Sequence, residues 1–205
     1  SWTFRKAPKF FDVVTYTGDD VAGREISHNL GTTPACIIIK NTNAAEHWQV
    51  WHKDGGGSGT SASGQLNQTN AFSESNTKYY FGDGTNKIDP TSTVFTVYSG
   101  NTTNNTGDVY VAYLFAHNDG DGEFGPTGDQ DIIKCGSYTG GSSNSGQLGD
   151  LVDLGFEPQW VMVKNVEATP FGNFGWYILD SMRGISTTSN DPGKDAFLLA
   201  NASDD

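Results

Sequence analysis

Histidines, clustered acids and aromatics are the residues of this chain that could do chemistry, and each group narrows quickly. Glu46-His47 and His52 superficially resemble a zinc-binding helix motif. That motif needs two histidines at i and i+4 on a helix, with a glutamate next to the first. Here the histidines are five apart and the stretch alternates like a strand, so no zinc site is expected. No serine sits in the G-x-S-x-G elbow of a serine hydrolase. Gly56-Gly57-Ser58-Gly59 opens no helix and lacks a P-loop lysine, which argues against a phosphate cradle.

The acids are more suggestive. Asp119-Gly120-Asp121-Gly122-Glu123 spaces three oxygen ligands at alternate positions, as hard cations prefer. An EF-hand would then need Gly at the sixth position and Glu at the twelfth, which hold Phe124 and Gln130. Asp119, Asp121 and Glu123 are thus weak calcium candidates, and a solvated acidic linker is the favoured reading. No cofactor or metal is otherwise implied. Glycoside hydrolysis requires two carboxylates flanking a cleft. Nothing in the sequence places such a pair, so no catalytic residue is assigned.

Aromatics with nearby polar groups could stack a sugar ring and fix its hydroxyls. Trp48 and Trp176 occupy matching places in a repeat described below and are expected in the core. Trp51 alternates out of phase with Trp48 and lies beside His52 and a glycine-rich loop. Trp51, His52, Tyr79 and Tyr80 are therefore the candidate ligand-binding residues.

The elements that must position them are β-strands. Leu30 to Lys40 reads LGTTPACIIIK and Leu154 to Lys164 reads LGFEPQWVMVK, each followed by Asn. Tyr16-Thr17-Gly18 precedes the first copy and Tyr138-Thr139-Gly140 the second. HWQVWHKD from His47 corresponds to GWYILDSM from Gly175. One unit has been used twice. The expected architecture is all-β, with tandem β-sandwich units: residues 1–118, an acidic Gly-rich linker at 119–130, and an incomplete second unit at 131–205. Residues 1–6 read as the last strand of a unit, because Trp2-Thr3-Phe4 matches Tyr113-Leu114-Phe115. The second unit stops short of its closing strands, so either the chain continues past Asp205 or another chain fills the gap. The first is favoured.

Within the first unit, strands are expected over 12–17, 21–28, 36–40, 47–53, near 71–72 and 78–81, over 92–98 and over 108–117. In the last, Val109, Val111, Tyr113 and Phe115 face one way and Tyr110, Ala112 and Leu114 the other. That strand is expected to be central. Asp54 to Gly64 and Ser99 to Gly107 read as polar loops. Asp180 to Gly184 could form one helical turn.

Composition agrees. The 205 residues include 26 glycines, and 35% of residues are hydrophobic, a turn-rich profile. The formal charge of −12 disfavours nucleic acid, whose phosphates call for clustered Lys and Arg. It is read as a source of solubility. No apolar run approaches the roughly 20 residues of a membrane span. Cys36 and Cys135 align with Trp160 and Val13 in the other copy and read as buried free thiols. A disulfide between them remains open.

The strings WTFRKAPKFFDVVTYTG, ISHNLGTTPACIIIKNT, YVAYLFAHN, IIKCGSYTG, VDLGFEPQWVMVKN and WYILDSMRG together resemble a repeated domain in tail-fibre and tail-appendage proteins of tailed bacteriophages, particularly marine ones. The resemblance covers nearly the whole chain apart from its loops. It implies a virion protein of the tail or another external appendage, homo-oligomeric and commonly trimeric, that meets other tail proteins and the host surface. It carries over no catalytic residue. The expected function is structural and adhesive, with host-surface polysaccharide as a candidate partner. Polysaccharide depolymerisation by a tailspike and a purely structural spacer or capsid decoration are the alternatives.

Overall fold

In a computed structural model of the chain, which describes residues 3–57, 59–140, 152–167, 175–183 and 197–201, nearly every regular element is a strand. In chain order these are β1 (Phe11–Thr17), β2 (Arg24–Ser27), β3 (Cys36–Asn41), β4 (Gln49–His52), β5 (Ala62–Gln65), the single helical turn α1 (Glu74–Thr77), β6 (Val94–Val97), β7 (Val109–Phe115), β8 (Trp160–Lys164), β9 (Trp176–Asp180) and β10 (Leu198–Leu199). The protein is all-β. Ser1 and Trp2 of the expected N-terminal strand, Ser58 of the expected loop and Gly184 of the expected helical turn lie outside the described residues.

A five-stranded antiparallel sheet in the order β1-β7-β3-β4-β5 organises the molecule. β3 is the middle strand; β7, expected at the centre, lies between β1 and β3 as an interior strand, because both its faces are apolar. Tyr110, Ala112 and Leu114 are fully buried on one side, and Tyr113 and Phe115 pack into the cluster on the other. The first face carries Ile37, Ile39, Trp51, Ala112 and Leu114 and is covered by the β2-β6 ribbon through Ile26, Phe95 and Val97, together with Leu30 and Phe81. The opposite face carries Cys36, Ile38 and Val50 and receives Trp176, Met162 and Ala200 from the smaller sheet β10-β9-β8. The residues assigned to two units thus share a core. Across it the Trp176 indole donates to the Gln65 carbonyl at 3.0 Å, and Lys164 Nζ to the Thr69 carbonyl at 2.8 Å.

Several local expectations change. The run from Asp54 to Gly64 contains the start of β5, whose small residues are required by a neighbour. A Cβ on Gly64 would lie 2.3 Å from the Phe72 ring. The strands expected near 71–72 and 78–81 are replaced by α1 and turns. Ser73 caps α1 by accepting from Asn76 N at 3.2 Å, and Phe81 N bonds to the Thr77 carbonyl at 2.7 Å, setting Phe81 in the core. The loop at 99–107 is pinned by Asn104, which is fully buried and donates to Asp19 and to the Val21 carbonyl. Residues 3–6 form no strand. Phe4 instead packs its ring against Phe11, Phe115 and Trp160.

The segment at 131–138 also forms no strand, although it aligns with β1. It crosses just beyond the end of β7, where Asn118 N donates to the Ile133 carbonyl and Cys135 N to His117 Nδ1. Both cysteines are free. Burial pushes both thiols up, Cys135 to about 12, so neither is a ready nucleophile.

Candidate functional site

The four aromatic and histidine candidates do not come together. Trp51 is not a surface residue: it is 3% exposed. The alternation along β4 does turn it away from Val50, but the sheet is covered on both faces, so turning away from one core means entering the other. His52 lies on the opposite face and is half-buried. Its Nδ1 accepts from Asp54 N at 3.1 Å, which leaves the neutral ring's proton on Nε2. Burial lowers its pKa to about 4, assisted by Lys53 and His117 and opposed by Asp54. Tyr79 is exposed, edge-on to Tyr98 at 5.7 Å and beneath Lys78 Nζ at 5.1 Å. Tyr80 packs against the first core.

The acidic linker is also committed elsewhere. Asp119 pairs with Lys134 at 2.6 Å and Glu123 with Lys9 at 2.6 Å. Asp121 accepts from Asp119 N at 3.0 Å. Among the described residues no group of three or more His, Cys, Asp or Glu is arranged to hold a metal ion.

Trp51 nevertheless borders a candidate site from its buried side. A shallow, largely open hollow of about 400 Å³ lies at one end of the large sheet. The antiparallel order creates it. The start of β3, the end of β4, the start of β5 and the end of β7 all meet at this edge. Trp51, Pro34, Ala35 and Pro90 give it an apolar lining, while Lys53, Asp89 and His117 supply charged or titratable groups. Thr32, Thr33 and Ser61 add hydroxyls.

The walls are held in place. Ala35 N donates to the Phe115 carbonyl at 2.8 Å and Lys53 N to the Ala35 carbonyl at 2.9 Å. Ser61 Oγ donates to Asp89 Oδ1 at 2.5 Å, and Lys87 Nζ to the Ser61 carbonyl at 2.8 Å. Lys53 is paired with Asp54 at 2.7 Å. His117 accepts at Nδ1 from Cys135 N at 3.1 Å, so its neutral ring donates from Nε2. Burial, with Lys53 and Lys134 nearby, holds its pKa below the usual histidine value and favours that neutral form.

Trp51 Nε1 is buried and has no hydrogen-bond partner among the described residues. A buried unpaired donor costs about 1–3 kcal/mol, and this N–H is enclosed by the core and not open to the hollow. The hollow sets charged and titratable side chains beside an apolar lining. Ser61 gives its proton to Asp89 rather than to a histidine, and among the described residues Asp89 is the only carboxylate lining the hollow. Spacing could not have revealed this site, because its residues come from five separate segments. Only Trp51 was singled out from sequence, and for the opposite exposure.

No curated protein and no solved structure matches the chain. The family described as Domain of unknown function (DUF7483) matches residues 6–204, a span that runs through both copies of the repeated motif, and the chain belongs to that family.

Proposed function

We propose that the chain is a tail-fibre or tail-appendage component of a tailed-phage virion that contributes to host-surface attachment by noncovalent binding of surface polysaccharide. The observation that carries this reading is the hollow at the sheet edge, where Lys53, Asp89 and His117 lie beside an apolar lining. The resemblance of long ordered strings in this chain to phage tail proteins supports the setting. A rigid, doubly covered sheet holding a polar hollow between its loops is the usual division between scaffold and site. The lone lining carboxylate favours binding over depolymerisation. In this reading the protein works as a homo-oligomer, commonly a trimer, beside other tail proteins.

Retention on purified host-surface polysaccharide tests it. The wild type is expected to be retained, and Asp89→Ala, which removes an exposed polar group from the lining, is expected to bind more weakly. Absence of retention at any salt or calcium concentration would remove the adhesive role.

A further inference from the structure

We infer that the outer edge of β8 is a docking edge for an antiparallel strand, and that the chain's own N-terminal segment, ending at Phe4, is the strand that fills it. The two sheets differ at this point. In the large sheet, β3 is paired by β4 on one side and by β7 on the other. In the small sheet, its counterpart β8 is paired by β9 alone among the described residues. Ser181 N donates to the Gln159 carbonyl as Lys53 N donates to that of Ala35, and bonds alternate along an antiparallel strand. Val161 and Val163 therefore bond to β9. The backbone groups of Trp160 and Met162 face the other edge, as those of Cys36 and Ile38 face β7. An apolar strand that presents such a row of N–H and C=O groups is a template for another strand.

The sequence holds the fitting strand end twice. β7 ends in Tyr113-Leu114-Phe115, and Trp2-Thr3-Phe4 repeats its pattern of aromatic, spacer, aromatic. The first copy is taken up between β1 and β3. The second is not, since residues 3–6 form no strand. The chain beyond each copy also agrees. Just past Phe4, Ala7 N donates to the Phe11 carbonyl at 3.0 Å; just past Phe115, Asn118 N donates to the Ile133 carbonyl at 2.9 Å. Phe11 and Ile133 hold the same place ahead of the two Tyr-Thr-Gly copies. Phe4 stands at the right end of β8. Phe115 lies opposite Cys36, the counterpart of Cys36 is Trp160, and the Phe4 ring is edge-on to the Trp160 ring at 5.9 Å. Carrying the β3-β7 register across sets Phe4 opposite Trp160, Thr3 opposite Val161 and Trp2 opposite Met162. A second copy of the chain could also donate this strand, but the contact of Phe4 with Trp160 within one molecule favours the same chain.

Amide hydrogen exchange on the whole chain tests this. Once docked, the Trp160 and Met162 N–H groups bond to the Phe4 and Trp2 carbonyls and exchange slowly. Trp2→Pro removes the N–H that would donate to the Met162 carbonyl, and exchange at Met162 is expected to become about tenfold faster or more. Val161 and Val163, bonded to β9, should be unchanged, which shows that the variant still folds. Register is read by cross-linking. Thr3 and Val161 would form a non-hydrogen-bonded pair with Cα atoms about 4.5 Å apart, within reach of a disulfide. Thr3→Cys with Val161→Cys is expected to cross-link within one chain in a glutathione redox buffer, and Thr3→Cys with Val163→Cys is not; peptide mapping separates these bridges from Cys36 and Cys135. Fast exchange at Met162 in the wild type would leave the edge open and overturn the inference. Slow exchange that Trp2→Pro does not alter would give the edge to another segment. Protection lost on dilution, with cross-links joining two chains, would give it to a second copy. Equal cross-linking at Val161 and Val163 would mean nearness without a paired strand.

Discussion

The meanders β3-β4-β5 and β8-β9-β10 are built alike and end up in different surroundings. Cys36 faces His52 as Trp160 faces Asp180, and Gln49 faces Gln65 as Tyr177 faces Leu199. Lys53 N bonds to the Ala35 carbonyl as Ser181 N bonds to that of Gln159. Asn67 accepts from Trp48 N and Asn201 from Trp176 N. Gly31 and Gly155 share φ of 77°. In β3 and β4, Ile37, Ile39 and Trp51 are buried beneath the β2-β6 ribbon. Their counterparts Val161, Val163 and Leu179 share the sheet face turned away from Met162 and are only half-buried. Register and turns are local properties, fixed by the strand itself. Burial is supplied by whatever covers the face.

The comparison can be broken most decisively by truncation. Ile39→Ala should cost about 2–5 kcal/mol, since Ile39 is fully enclosed. Val163→Ala should cost less than half as much by urea denaturation. Equal losses would mean the second face is as well covered as the first.

Acid sharpens it next. The group concerned is His52, whose counterpart in the second meander is Asp180. The folded pKa of His52, about 4, lies below the ordinary value of 6.5. Below pH 6.5 the unfolded chain therefore takes up a proton that the folded chain refuses. Stability is fully present above pH 6.5 and falls as pH drops toward 4, by on the order of 3 kcal/mol. His52→Gln should flatten that slope in a pH series of melts; an unchanged slope would show that burial does not hold the ring neutral. Asp12 acts lower on the scale. Its burial opposes ionisation, but bonds from Lys6, Asn29 N and Val13 N prevail and hold its pKa below the usual carboxylate value. Its contribution is present above about pH 4 and fades as pH falls below that.

The repeated glycines give another contrast. In Tyr16-Thr17-Gly18, a Cβ on Gly18 would lie 2.0 Å from the Asn105 carbonyl oxygen, whereas Gly140 has open space. Gly18→Ala should lower stability by about 1–3 kcal/mol, and Gly140→Ala should leave it within about 0.5 kcal/mol. A modest loss is expected at the joint between the sheets. Trp176→Phe removes the bond to Gln65, and melts should register a loss of about 1 kcal/mol. No change would mean the shared core holds without it.

Much of this architecture was legible. The alternation in β7 announced two apolar faces and hence a strand covered on both sides, and the Leu-Gly-x-x-Pro copies marked the same turn twice. β5 was hidden because Ser63 and Gly64 carry no apolar signal. What makes them a strand is pairing with β4 and the Phe72 ring, which no local window contains. Trp51 was assigned to the correct side of β4 and the wrong environment, because the sequence of one strand does not describe the layer above it. The hollow was unreadable for a related reason. Thr32, Asp89 and His117 become neighbours only when the strand ends converge.

The pairing of β1 with β7 has a mechanical consequence. Phe11 lies opposite Phe115, and Ala116 N bonds to the Phe10 carbonyl at 2.9 Å. The chain thus enters and leaves the large sheet at adjacent points, about one strand spacing apart, near 4.8 Å. Everything between Phe10 and Ala116 hangs to the side of the covalent path and adds almost nothing to its length. A segment that lengthens the path so little makes a poor rod and a good bracket. Pulled from those two points, the sheet would unzip one rung at a time from the Phe11–Phe115 end.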